Sequence, residues 1–416
     1  MSVIKNSFIY MFSSVASKGA PFLLLPFLTS YLQPSEFGVL AIFLVMNSLY
    51  GAFIGMALHA NVTKNFFSKT KEELAIITGN IFFILVASTV LYFIVSLLIA
   101  GISDSFFAVP SVYLLVLPLL AFLSMLNQIH LTFLRNEGRA YIFGMFEIAS
   151  AFLALSITLV CLLRYEMGWH SQVIGMLMAN FTLAIIGVGY LYKRGYLYMK
   201  VRKGKIISIL RISVPLIPHI LGGVIISVSD RFFIEKMVGL EAVAVYSIGY
   251  SFGMVVSLLT DAMIKAWSPW FYKQLAQPSH ERKLKIVKST YAYLLGVVVV
   301  TLLVSVIGIF ILPYAVEERY FGASVYIGYV ALGYAAQGIY KIFFPYLVHI
   351  NRTQFLAIST VFAAIINIIF NFIFIDLYGA VGAAYATILA FSISAILVFE
   401  YQRRNFPMPW FSFKNE

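Results

Sequence analysis

The chain has little charge. Of its 416 residues 61% are hydrophobic and only 11% are Asp, Glu, Lys or Arg, against about a quarter in an ordinary soluble domain. Cysteine is nearly missing too. The single Cys161 lies in an apolar run, where it reads as a small packing residue, and alone it cannot close an intramolecular disulfide. There is no G-x-x-x-x-G-K-[ST] loop, no H-E-x-x-H pair and no cluster of cysteine and histidine, so neither ATP hydrolysis nor metal chemistry has residues to carry it. No enzyme activity, cofactor or metal site is expected. The start, MSVIKNSFIYMF, lacks the short apolar core and A-x-A ending of a cleaved signal peptide, so the first helix is expected to stay in the product.

What is present in quantity is hydrocarbon. Runs of roughly 20 apolar residues, enough to cross about 30 Å of lipid, begin near Ser7, Phe37, Ala75, Val112, Ile142, Gln172, Ile206, Leu240, Tyr291, Ser324, Phe355 and Gly379. They predict an all-α polytopic membrane protein with twelve transmembrane helices, here called spans one to twelve. The longest connections, about Tyr192–Lys205 and Lys265–Lys288, leave no room for a separate soluble domain.

A formal charge of +12 suggests nucleic acid at first sight, but the distribution of the 29 Lys and Arg argues otherwise. With a cytoplasmic N-terminus, Lys5, Lys64, Lys69, Lys71, Arg135, Arg139, the 193–211 cluster, the 273–288 cluster, Arg352, Arg403, Arg404 and Lys414 all fall inside. The outer loops keep only Arg164, Lys236 and Arg319. By the positive-inside rule both termini are expected to face the cytoplasm, and no nucleic-acid partner is expected. The sequons at Asn61 and Asn351 fall on the inner side and read as coincidence.

The basic connection KRGYLYMKVRKGK (Lys193–Lys205) divides the spans six and six, predicting an N-lobe of residues 1–198 and a C-lobe of 199–416 related as parallel repeats. YLQPSEFGVLAIF matches MVGLEAVAVYSIG in pattern, and GRAYIFGMFEIASAFLALSI matches NRTQFLAISTVFAAIINIIF. Breakers sit at matching places: Gly19, Pro21 and Pro26 in span one, and Pro215, Pro218, Gly222 and Gly223 in span seven. Paired interrupted spans point to a transporter's binding site, so these two are expected to line a central cavity.

Ionisable residues inside the membrane are costly and usually face protein interior or water. Lys18 lies about half way across span one, too deep to snorkel, and is expected either to pair with Glu147 of span five or to face a cavity as an anion site. On span seven, Asp230 and Arg231 are neighbours and should diverge rather than simply neutralise each other. His219, after Pro218, is suited to a freed carbonyl or to proton relay. On span eight, Ser257, Asp261 and Lys265 share a stripe, with Asp261 and Lys265 at pairing distance. Lys341 on span ten is the second candidate cavity cation, against snorkelling. His59, His130 and Arg135, with Lys265, are candidates for a positive entrance on the cytoplasmic side. Asn180, and the pair Asn367 and Asn371, suit either sugars or interhelical hydrogen bonds. Gly51/Gly55 and Gly249/Gly253 are expected to be close-packing faces.

Gly19 with LPFLTSYLQPSEFGVLAIF, the DRFFI run with its glycine-led turn and VYSIGYSFG, and the NRTQ turn resemble, in order and spacing, the Wzx-type O-antigen and polysaccharide flippases of the multidrug/oligosaccharidyl-lipid/polysaccharide (MOP) exporter superfamily. The likeness implies two six-helix lobes about a V-shaped cavity in a bacterial cytoplasmic (inner) membrane. It also implies an undecaprenyl-pyrophosphate-linked oligosaccharide as cargo, moved by alternating access, with membrane lipid and glycan polymerase or assembly proteins as partners. Lys18 falls where such flippases place basic cavity residues, and Arg231 sits in a matching pair. Drug and cation antiporters of the superfamily typically carry a carboxylate on the first helix, where this chain has lysine. A cation-coupled exporter, with Glu147, Asp230 or Asp261 as coupling carboxylate, is the alternative.

Overall fold

The computed structural model describes residues 2–275, 279–350 and 352–410, with the side chains of residues 2–8 and 353 outside the description. Asn351 and Lys414, and the side chain of Lys5, therefore lie outside the described residues. Sixteen helices follow one another: α1 (Ser2–Tyr31), α2 (Pro34–Gly55), α3 (Leu58–Phe66), α4 (Lys71–Ile102), α5 (Val116–Asn136), α6 (Ala140–Tyr165), α7 (His170–Lys193), α8 (Lys203–Ser213), α9 (Ile217–Val228), α10 (Asp230–Met237), α11 (Leu240–Gly253), α12 (Val255–Leu275), α13 (His280–Ala315), α14 (Ser324–His349), α15 (Thr353–Tyr378) and α16 (Val381–Asn405). A two-residue hairpin, β1 (Ser105–Phe106) with β2 (Val109–Pro110), closes one turn.

The protein is all-α and multi-pass. Among the described residues eleven stretches are long and apolar enough to cross a membrane. The remaining predicted span, α14, is a 26-residue helix whose run is diluted by Gln337, Lys341 and His349.

The chain divides into two compact units, Met1–Val224 and Ile225–Glu416. In the first, α1 packs along α6, α6 along α7, and α5 against α2 and α7. Its core joins Ile54, Leu58, Ile81, Leu85, Ile129 and Phe133 with Ile209 of α8. In the second unit α14 is central, packing on α11, α12, α13 and α16, while α15 lies along α16. Tyr346, Phe271, Phe343 and Trp410 form an aromatic centre there.

The breakers behave unequally. Span seven winds more tightly at its prolines without breaking: α8 runs through a single 3-10 turn at Val214–Leu216, where Pro215 sits, into α9, and Ser213, Val214 and Ile217 all keep right-handed helical backbone. Span one, expected to be interrupted in the same way, is instead one continuous 30-residue helix through Pro21 and Pro26. Pro21 removes only the donor that would close on the Ser17 carbonyl, and packing on α6 carries the helix across.

The glycine pairs differ too. A β-carbon on Gly253 would lie 2.7 Å from the Val330 Cβ, so α11 and α14 meet backbone to side chain there. Gly51, by contrast, has nothing within 4 Å of such an atom, so Gly51/Gly55 is not a close-packed face along its length. Gly253→Leu should therefore overpack the α11/α14 contact and destabilise by about 1–3 kcal/mol, while Gly51→Ala should be near neutral. Thermal unfolding of the purified protein in detergent checks both.

Candidate functional site

Half way along α1, Lys18 projects an exposed side chain on the same broad face as Phe12 and Val15. It has no hydrogen-bond or ion-pair partner among the described residues. The Glu147 carboxylate on α6 does not pair with it. Glu147 accepts hydrogen bonds from Ser14 Oγ at 2.9 Å and Ser13 Oγ at 3.2 Å, both one turn or more before Lys18 on α1. This contact belongs to the long α1/α6 packing seam, where Tyr10 also sets its ring edge-on to Phe143. Two neutral hydroxyls thus satisfy the acid that the ammonium could have claimed. Neither serine was flagged by sequence reasoning; the Ser13-Ser14 doublet in an apolar run was the available signal.

In the second unit the charges are closed against each other. Asp230 is fully buried and Arg231 is 7% exposed. The expectation that these neighbours diverge is corrected: Arg231 Nη1 lies 2.9 Å from Asp230 Oδ1. Both open α10, where Asp230 Oδ1 also accepts the Arg231 backbone N–H at 2.9 Å. Arg231 also donates to the Ser227 carbonyl at 3.1 Å, and its guanidinium sits 4.0 Å from the centre of the Tyr250 ring. Tyr246 donates to Asp230 Oδ2, Tyr250 donates to the Ser227 carbonyl, and the Tyr250 and Tyr334 hydroxyls bond to each other. The i, i+4 spacing of Tyr246 and Tyr250 on α11 places both on this knot. Next to it, Ser229 donates to Asn367 Oδ1 at 3.2 Å, and Asn371 donates to the same oxygen at 3.1 Å. Both asparagines are fully buried, in the interhelical role.

Lys341 on α14 meets Asp261 of α12 at 2.7 Å and donates to Ser257 Oγ at 3.0 Å, while Ser257 donates to Gln337. Asp261 therefore takes its partner from the neighbouring helix, not from Lys265, which is exposed one turn on. A long amine brought alongside by helix packing outcompetes an i, i+4 neighbour pointing to solvent.

Of the residues expected at a positive entrance, His59 and Arg135 lie within electrostatic reach of each other. Arg135 is exposed at the end of α5, but His130 is 2% exposed, with its ring against Phe146 and Tyr190 and its Cβ facing Gly187. The absent side chain of Gly187 lets α5 and α7 approach closely enough to enclose it. Neither ring nitrogen of His130 has a hydrogen-bond partner, and His59 Nδ1 and His219 Nδ1 are likewise buried without one. His219 thus does not use the freed carbonyl expected for it through that atom. Asn180 is committed to structure: its side-chain oxygen accepts from Asn127 at 3.1 Å and its amide donates to the Met176 carbonyl, tying α7 to α5. No group of three or more His, Cys, Asp or Glu that could hold a metal occurs among the described residues.

A family model described as polysaccharide biosynthesis protein matches residues 3–275, well over half of the sequence, and the chain belongs to that family. An Lsg locus protein of Haemophilus influenzae is 23% identical over 381 residues, covering 88% of this chain and 90% of its own length. An uncharacterised membrane protein of the same organism is 24% identical over 290 residues, 68% of each chain. Among solved structures, an inward-facing multidrug resistance MATE transporter of the MOP superfamily aligns over 96% of this chain and 94% of its own, with TM-score 0.75 and 14% identity. A MOP superfamily transporter from Pyrococcus furiosus, whose binding pocket is described as of reverse polarity, aligns over 97% and 95% with TM-score 0.69 and 15% identity. The fold is therefore that of the MOP superfamily.

The knot around Arg231 predicts an asymmetry. Arg231→Ala leaves a buried carboxylate without its counter-charge and should destabilise by about 3–5 kcal/mol. The double change Asp230→Asn with Arg231→Met, which removes both charges, should be milder. Melting temperatures of the three purified proteins decide the order.

Proposed function

We propose that this chain is a flippase that moves an undecaprenyl-pyrophosphate-linked oligosaccharide, an O-antigen or capsule repeat unit, from the cytoplasmic to the outer leaflet of the bacterial inner membrane by alternating access. Both termini are cytoplasmic in this reading, and residues 1–198 and 199–416 act as parallel lobes. Glycan polymerase or assembly proteins would receive the product.

The observation that supports it is Lys18: a cation half way along a membrane helix, exposed and without a counter-ion among the described residues, in a chain of the polysaccharide biosynthesis family. A pyrophosphate carries the opposite charge in a form that a lone ammonium can meet, and in low dielectric the attraction is many times stronger than in water. Arg231 and Lys341 are already committed to Asp230 and Asp261, so Lys18 is the cargo contact in this reading. The cation-coupled exporter remains a second reading because, among the described residues, Glu147 is held by serine hydroxyls and no cation, and such a carboxylate can take up a proton or a metal cation.

Lys18→Ala should strand lipid-linked repeat units on the cytoplasmic leaflet and lower surface glycan about tenfold or more, the loss expected for one charge-assisted contact. Lys18→Arg should retain much of the activity. Wild-type export by the alanine variant at normal expression would sink the charge role. Drug resistance that persists without the glycan pathway and is abolished by Glu147→Gln would favour the exporter.

A further inference from the structure

The connection between α7 and α8 is not a loose linker. Tyr198 N–H donates to the Ala75 carbonyl of α4 at 3.1 Å. Asn80, fully buried on α4, donates to the Lys200 carbonyl at 2.9 Å and accepts from Arg202 N–H at 2.8 Å. A β-carbon on Gly79 would collide with the Tyr198 carbonyl, so glycine lets the strap lie directly on the helix. Backbone polar groups are thus turned toward α4, while Tyr198, Met199 and Val201 stand 55%, 63% and 53% exposed. Lys193, Arg194, Lys200, Arg202 and Lys203 are exposed as well, and the segment 193–205 contains no acid.

The depth of this strap fits a headgroup layer. The 32 residues of α4 span about 48 Å at ~1.5 Å per residue, against about 30 Å of hydrocarbon. If α4 is centred, about six residues at each end lie in the polar layer, and the strap docks where that layer begins, at Ala75–Asn80. Exposed aromatic, methionine and valine side chains among unpaired lysine and arginine are suited to enter acyl chains and phosphates together.

We propose that the strap Tyr196–Lys205, fastened to α4 by Asn80 and Gly79, is a docking surface for anionic phospholipid headgroups. The inference does not depend on the cargo. An anionic surface favours each nearby Lys or Arg by about fivefold in binding, so three charges should be worth on the order of a hundredfold.

Native mass spectrometry and thermal unfolding of the full-length protein, with phosphatidylglycerol or phosphatidylcholine added, test it. Phosphatidylglycerol should be retained preferentially and raise the melting temperature. Lys200→Gln, Arg202→Gln and Lys203→Gln together should abolish both effects, while the equally discharging control Lys273→Gln, Lys285→Gln and Lys288→Gln keeps them. Asn80→Ala, which removes no charge, should weaken retention by unfastening the strap; should it fold poorly, Asn80→Asp, which keeps the acceptor for Arg202, replaces it. Equal retention of the two lipids, or a triple strap variant that behaves as wild type, would overturn the proposal. So would displacement of the lipid by millimolar soluble pyrophosphate, which would mark a site for free anions.

Discussion

A fixed charge inside a membrane must be neutralised, hydrogen-bonded or opened to a polar solute, because hydrocarbon offers it nothing. The two units meet this constraint differently. In the second, Asp230 with Arg231 and Asp261 with Lys341 are matched ion pairs; the Tyr246 hydroxyl donates to Asp230, and the Ser257 hydroxyl accepts from Lys341. Such pairs contribute little net stability, but removing one partner is strongly destabilising. In the first unit Lys18 and Glu147 are mid-helix charges, and among the described residues neither has an opposite charge bound to it. Charge that is locked in one half and left open in the other is what gives the N-terminal unit its functional interest.

The twelve spans were readable because length and apolarity are local properties, and even α14 with its Lys341 kept a recognisable run. Partners were not, because they belong to packing. Asp261 and Lys265 have an ideal spacing for a helix pair, yet Lys341 arrives from α14 to take Asp261, its amine held as well by Ser257 of α12, which in turn donates to Gln337. Asp230 and Arg231 are neighbours in the first turn of α10, and they meet because the Asp230 carboxylate folds onto both the backbone N–H and the guanidinium of Arg231. His130 has the sequence position of an entrance residue, but Gly187 on a helix 57 positions away admits it to the core. The strap was visible as a basic connection; that Asn80 and Gly79 would fasten it could not be read from α4 alone, since their partners lie more than a hundred residues on.

Proline gives a sharper case. Span one and span seven carry similar breakers, but only the second departs from α-helix at them, through one 3-10 turn at Val214–Leu216. A proline removes one donor and crowds one carbonyl, a penalty of about 3 kcal/mol, which continuous packing against a long neighbour can offset. α1 has that neighbour in α6 along much of its length. The prolines of span seven instead fall where the helix leaves the core containing Ile209, and Pro215, Leu216 and Pro218 are exposed. The same local signal therefore marks a possible break, and the surroundings decide.

The seryl partners of Glu147 connect these points to the cargo. Ser14 and Lys18 are i, i+4 on α1, and it is the Ser14 hydroxyl, not the ammonium, that Glu147 takes up. Hydroxyl donors satisfy the carboxylate without cancelling its charge, and they weaken the incentive for Lys18 to turn inward. A cation without an ion-pair partner among the described residues stays available at mid-helix, which an Asp230–Arg231 type of pair would not allow. On the flippase reading Ser13 and Ser14 are positioning residues for Lys18. On the exporter reading they are the first contacts of the coupling acid, and both readings rest on the same separation of charge across the α1/α6 seam.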